Sequence, residues 1–268
     1  MILVPGRLGP GLWHYAARMS EQLSFSFSDP DAGLHCFGRS GETAVVLNSS
    51  GASSREQVEV VQAEEGFEVA LGGRGDTLLA PLGPPIDFPE QGRSATLCLA
   101  NGEAADGRPL NGFGCVWHGE GQLAGIARRR SIWICFGEDL AFALLAERTT
   151  REPGHDEPVA AFVARGAPLA ASALSEPLLS STYRGGPLAG TPRGGQAGGQ
   201  LLRAGLELWE GEDAEARERS RALRIGGETI AAGELAFQHG VTATAAFLIW
   251  HLEGRQGAGA YLDETAAS

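Results

Sequence analysis

The sequence predicts an all-β protein made of antiparallel modules, and three observations carry that expectation. Short strand-like segments recur along the 268 residues, the first of them with the period-two spacing of a half-buried strand. Gly, Pro, Asp and Asn separate these segments at intervals suited to turns. No long apolar stripe of helical period accompanies them. The best helical stretch, residues 213–223, is so charged that it would lie on the surface. Many short strands with regular turns indicate a sandwich or a barrel.

The first element is the most informative. In Glu21-Gln-Leu-Ser-Phe-Ser-Phe-Ser-Asp-Pro-Asp-Ala-Gly33, Leu23, Phe25 and Phe27 alternate with Ser24, Ser26 and Ser28. Residues 23–27 are therefore predicted as a strand with one apolar face. Glu21 has the parity of the apolar set. A carboxyl group there either stays protonated among apolar neighbours, as a proton donor, or sits at the strand end with its head in water. Further strands are predicted over 43–47, 57–61, 67–71, 95–99, 132–136, 141–145, 160–164, 201–209, 235–239 and 242–252. Residues 73–93 and 184–200, rich in Gly and Pro, read as loops. The second divides the chain into an N-terminal β module, 1–175, and a smaller C-terminal β module, 176–268, that opens with the Gly-rich loop. A single continuous barrel is the alternative.

Composition removes several classes of function. A net charge of −12 opposes nucleic-acid binding, which needs a basic surface. All 21 basic residues are arginine, so no Schiff-base lysine and no P-loop lysine exists. Cys36, Cys98, Cys115 and Cys135 form no CxxC, hence neither a disulfide framework nor a zinc ribbon. Cys115-x-x-His118 and His35-Cys36 are too loosely patterned for a metal site. No G-x-S-x-G elbow is present, and the glycines of 72–75 lack the βαβ unit of a dinucleotide fingerprint. No metal and no cofactor is expected. The chain does not open with a basic stretch followed by a long apolar core, and its longest apolar run, 243–250, is too short to span a bilayer. A cytoplasmic protein without a transmembrane segment is expected, its oligomeric state open.

Two motifs carry a resemblance. Phe25-Ser-Phe-Ser-Asp-Pro-Asp-Ala-Gly-Leu34 resembles the opening of the first barrel in the lipocalin-like family that includes hydroxyneurosporene synthase, a carotenoid hydratase, and AttH-like proteins. Tocopherol cyclase and fungal lipocalin-like cyclases are more distant members. Glu21 and Asp29-Pro30 match its E-x-Y-x-F-x-F-x-D-P-E-A-x-L-G pattern. Gly112-Phe-Gly-Cys-Val-Trp-His-Gly-Glu-Gly121 is similar to the family's G-x-G-x-R-D-H-S-W-G, with His118 on the histidine and Gly112, Gly114 and Gly121 on glycines. Val116, Trp117 and Glu120 stand where that motif has Arg, Asp and Trp. The resemblance spans roughly residues 13–150 and implies two lipocalin-like antiparallel β-barrel modules packed together around a lipophilic pocket.

The resemblance and the residues together suggest His118 and Glu21 as an acid/base pair. Trp117, Trp133 and Tyr15 would shape the pocket, with Phe25, Phe27, His35 and His251 as further substrate contacts. Trp13-His14-Tyr15 could instead plug a barrel end, and each histidine could be an ordinary core residue. The function so read is a cofactor-independent acid/base enzyme that hydrates, isomerises or cyclises a lipophilic isoprenoid- or polyketide-like olefin. The alternative is a non-catalytic carrier of a small apolar metabolite, which the altered 116–120 segment favours. In both cases the partner is a small lipophilic molecule.

Overall fold

Among the described residues, two closed antiparallel barrels account for all but one strand of the computed structural model. It describes residues 22–48, 51, 53–72, 76–103, 108–119, 123, 125–149, 157–184, 200–209 and 222–266. The first barrel is built from β1 (Ser24–Asp29), β2 (Leu34–Arg39), β3 (Thr43–Asn48), β4 (Ser53–Ala63), β5 (Gly66–Leu71) and β6 (Asp76–Pro81). After the short β7 (Ile86–Phe88) it is completed by β8 (Arg93–Glu103) and β9 (Pro109–His118). Pairing of β6 with β8 and of β9 with β1 closes it, and β7 adds to the remaining edge of β8.

The second barrel follows chain order through β10 (Arg128–Cys135), β11 (Leu140–Arg148), β12 (Val159–Arg165), β13 (Ala170–Arg184) and β14 (Gln200–Trp209). β15 (Leu223–Phe237), β16 (Val241–Leu252) and β17 (Arg255–Ala266) complete it, and β10 pairs with β17 to close it. Closure removes the free strand edges that an open sheet must protect. Among the described residues no helix is long and apolar enough to cross a membrane.

The expected all-β, two-barrel architecture is the one observed; two local expectations are corrected. Residues 73–93 are not simply a loop, because β6 and β7 lie within them. Thr77 and Leu79 of β6 point inward and are buried, so a short strand persists beside the prolines. The change from one barrel to the other falls between His118 and Arg128, and position 175 lies inside β13, a strand of the second barrel. The glycine-rich composition that suggested a boundary belongs to the connection between β13 and β14. That connection, 185–199, lies outside the described residues, as does most of the expected surface helix.

Three apolar clusters follow from strand parity. Phe25, Phe27, Val46, Val60, Phe67, Val69 and Val116 fill the first barrel. Ile132, Ile134, Phe142, Leu206, Leu248, Trp250 and Tyr261 line the second. The third lies between the barrels and draws on both, with Phe37, Phe88, Trp117, Trp133, Leu235 and Phe247 among its members. β1 is therefore not half-buried: its serine face packs on the second barrel, and Ser26 and Ser28 are fully buried. Each hydroxyl has a partner, as a buried polar group requires. Ser26 Oγ accepts from Trp133 Nε1 at 2.8 Å, Ser28 Oγ lies 2.9 Å from His35 Nδ1, and Ser24 Oγ accepts from Arg93 Nη2 at 3.3 Å.

The motifs behind the family resemblance do architectural work in this chain. Asp29 Oδ1 accepts from the Ala32 amide and its Oδ2 from the Asn111 amide, at 2.9 and 2.8 Å, fixing the β1–β2 turn and tying it to β9. A Cβ at Gly112 would stand 2.3 Å from the Ser28 carbonyl oxygen, so only glycine lets β9 approach β1 there. Gly227 serves packing in the second barrel in the same way: a Cβ would lie 2.7 Å from the Trp250 ring. Gly227→Ala is expected to destabilise by about 1–3 kcal/mol through overpacking, measured as a lowered denaturation midpoint. An unchanged midpoint would show that Trp250 can shift freely.

Candidate active site

The sequence-predicted site residues occupy separate places. Phe25 and Phe27 are fully buried inside the first barrel. His118 has the parity of Val116 and faces the same interior near one end, with its ring edge-on to Phe67 at 5.4 Å and its Nε2 3.5 Å from Thr96 Oγ1. Trp117, the next residue, points the opposite way into the seam between barrels, where it meets Phe88 at 5.7 Å. Trp133 and His35 also lie in the seam. His251 is exposed on the second barrel. Glu21 and Tyr15 lie outside the described residues. His118 and Trp117 thus cannot line one cavity, because successive residues of a strand face opposite sides. The same parity separates Cys115 from His118.

All four cysteines are free and buried, and burial holds each thiol well above its ordinary range, which suits packing rather than nucleophilic chemistry.

The burial of His35 has a pH consequence. Its ring stacks on Phe247 of the other barrel at a centroid distance of 5.1 Å. Burial pulls its pKa from 6.5 down to about 4, against the opposing pull of Asp29. The unfolded chain takes up a proton near pH 6.5 while the folded chain resists until about pH 4. Stability is therefore complete above pH 6.5 and is lost as the pH falls through that window, by roughly 3 kcal/mol in all. His35→Asn should flatten this part of the stability–pH curve in denaturant titrations at successive pH values. An equally steep acid limb in the variant would remove His35 as its source.

The seam also contains charge. Glu264, on β17, receives Arg39 Nη2 at 2.9 Å and faces Arg129 Nη1 and Arg93 Nη1 at 3.6 and 3.7 Å. Arg129 Nε also donates to Glu147 at 2.6 Å, and Arg39 faces Glu42 at 3.5 Å. The three guanidiniums are at most 3 % exposed in their side chains. Burial, then the neighbouring Arg129, draws the Arg93 pKa down to about 10.

A different constellation stands inside the second barrel, and none of its members was expected as a site residue. Arg128-Arg129-Arg130 opens β10 as a run of three cations, and alternation divides it. Arg129 enters the seam, whereas Arg128 and Arg130 share the parity of Ile132 and Ile134, which line the interior. Tyr261 and Asp263 of β17 face the same interior, and Tyr183 reaches it from β13.

Arg128 Nε donates to Asp263 Oδ1 at 2.8 Å, and Arg128 Nη2 donates to Asp263 Oδ2 and to the Tyr183 hydroxyl, the latter at 3.1 Å. Arg130 Nη1 donates to the Tyr261 hydroxyl at 3.2 Å, and its other nitrogens grip Glu157 in a fork. Arg148 Nη2 donates to the same Glu157 at 3.2 Å. The two phenol oxygens are 3.3 Å apart. Each carboxylate thus fixes an arginine and each arginine fixes a phenol, and bidentate guanidinium pairing gives such a chain a defined geometry. Two sequence signals point to it: the alternating arginine run, and the fact that two of only three tyrosines in the chain meet here.

This arrangement can donate a proton from a phenol and hold the resulting oxyanion with arginine N–H groups. Apolar walls lie beside it, from Ile132, Leu144 and Ala246. A ligand with an apolar body and one polar group matches that combination.

No protein-family model matches the chain, and no curated protein sequence matches it. Solved structures do. Kievitone hydratase from Nectria haematococca superposes with a TM-score of 0.55 at 11% identity, over 92% of this chain and 89% of that one. CghA gives 0.54 at 10% identity, over 92% and 88%. An AttH candidate from Nitrosomonas europaea gives 0.55 at 11% identity, over 98% of both chains. At such identities the likeness establishes the fold: this chain is a two-barrel protein of lipocalin-like architecture.

Proposed function

We propose that this protein is a cofactor-independent acid/base enzyme that hydrates, isomerises or cyclises a lipophilic olefin of isoprenoid or polyketide type, and that the second barrel carries the chemistry. The observation behind this reading is the Tyr183–Tyr261 phenol pair, held by Arg128 and Arg130 next to an apolar barrel lining. The likeness in fold to a protein named as a hydratase supports it, as does the resemblance of residues 25–34 to the carotenoid hydratase family. Proton transfer between a fixed phenol and a bound substrate needs no redox partner. The pair expected at His118 and Glu21 becomes the competing location for the same chemistry.

The test is incubation of the purified protein with apolar extracts and individual lipophilic olefins in oxygen-labelled and deuterated water, followed by mass spectrometry. Hydration adds the mass of labelled water, and isomerisation through solvent exchange incorporates deuterium. Cyclisation appears as a product of equal mass and altered retention. A compound that co-purifies stoichiometrically and is returned unchanged would decide for the carrier.

A further inference from the structure

The hydrogen-bond count at the two phenols has a direction, and the direction selects a substrate. A phenol oxygen has one O–H to donate and two lone pairs to receive with. Tyr183 oxygen receives Arg128 Nη2, and Tyr261 oxygen receives Arg130 Nη1. The 3.3 Å contact between them uses the hydrogen of one phenol only. If Tyr183 donated to Tyr261, the hydroxyl hydrogen of Tyr261 would be left over at a residue only 1% exposed. An unmet donor is costly at such a depth. If Tyr261 donates, its hydrogen is satisfied and the spare hydrogen belongs to Tyr183, which is only half-buried. Burial, with the Tyr183 oxygen beside it, also raises the Tyr261 pKa, which keeps that phenol protonated in the donating role.

Resting on the function proposed above, we infer that Tyr183 is the proton donor of the site and that its acceptor is a carbonyl oxygen conjugated to the reacting double bond, so that the substrate is an apolar enone and not an unactivated alkene. A phenol is far too weak an acid to protonate an isolated alkene carbon, whose product is a free carbocation. A carbonyl oxygen is an ordinary hydrogen-bond acceptor that becomes strongly basic as negative charge develops on it, which is the situation fixed donors stabilise best.

Hydration adds one water across the conjugated double bond. The oxygen of water bonds to the β-carbon, the π electrons move to the carbonyl oxygen, and that oxygen takes the proton of Tyr183. The phenolate left behind is held by Arg128 Nη2–H and Tyr261 O–H, and it recovers a proton from the added water. The enol then becomes a β-hydroxyketone as its proton is replaced by one on the α-carbon. No oxidant or reductant enters.

The test compares two probes of similar shape: trans-chalcone, an apolar enone labelled at its carbonyl carbon, and trans-stilbene, which lacks the carbonyl. The full-length protein should bind chalcone roughly tenfold more tightly than stilbene, and the carbonyl carbon resonance should move downfield as its oxygen accepts a hydrogen bond. Tyr183→Phe should abolish both the preference and the shift while still binding both probes. Tyr261→Phe should weaken the shift without abolishing it. Equal binding with an unshifted carbonyl would overturn the enone inference and leave the ligand site standing. Loss of the shift in Tyr261→Phe with retention in Tyr183→Phe would overturn the choice of donor. Failure of both probes to bind would overturn the second barrel as a ligand site, and with it the reading on which this inference rests.

Discussion

Replacing Glu264 by glutamine is expected to lower the unfolding free energy by about 3–5 kcal/mol. The side chain is nearly isosteric, so packing is preserved and charge alone is removed. Arg39, Arg93 and Arg129 all face this carboxylate from within the seam, the first at 2.9 Å. Without it, three buried cations lose the counter-charge they share, while Arg39 still faces Glu42 and Arg129 still donates to Glu147.

The reverse change is expected to behave differently. Arg93 has its Nε and Nη1 without hydrogen-bond partners, and its Nη1 stands 3.7 Å from Glu264, beyond hydrogen-bonding reach. An arginine so poorly satisfied gains little against the expense of burying it, so Arg93→Met should stay within about 1 kcal/mol of the parent. Guanidinium titrations followed by tryptophan fluorescence test both, since Trp117 and Trp133 lie in the seam and report its opening. If Glu264→Gln unfolds at the parent midpoint, the charged seam does not hold the barrels together.

The fold was legible in the sequence wherever one rule decided the outcome. The strand-like segments 43–47, 67–71 and 141–145, bounded by turn residues, are places where the structure puts β3, β5 and β11. β13 and β17 were missed for a physical reason: β13 presents serines and small residues on a partly exposed wall, and β17 replaces its apolar parity with Gly257 and Gly259, which admit neighbouring chain and Trp250. The serine face of β1 looked solvated because alternation identifies a second face without saying what covers it. A second barrel covers it here, and Trp133 and His35 supply the partners.

The site was harder to read, since proximity in a barrel depends on closure. Arg128 and Tyr261 lie far apart in sequence, and only the β10–β17 pairing brings their strands together. The histidine motif drew attention through its family position, whereas Gly112 and Gly114 are explained by the close approach of β9 to β1.

Tyr183→Phe is expected to lower turnover by about a hundredfold or more, the scale of a removed general acid, in the isotope-labelled assay described above. The substitution takes away one oxygen and leaves the ring, so affinity for an apolar substrate should change far less than kcat. A purely structural tyrosine would lower stability and spare kcat. Tyr261→Phe should have a smaller effect, roughly tenfold, because Tyr183 would keep its own proton and its bond from Arg128 while losing one of the two donors that hold its anion.

Arg128→Lys should fall between these two. Lysine keeps the charge but cannot grip Asp263 with one fork while reaching Tyr183 with the same guanidinium. The competing variant is His118→Ala. His118 faces the interior of the other barrel, against Phe67 and Thr96. Should that variant lose turnover while Tyr183→Phe keeps it, the chemistry belongs to the first barrel and the phenol pair is structural. The opposite result, with the graded losses across Tyr183, Arg128 and Tyr261, follows only if the proton leaves from Tyr183 and the two neighbours stabilise what remains.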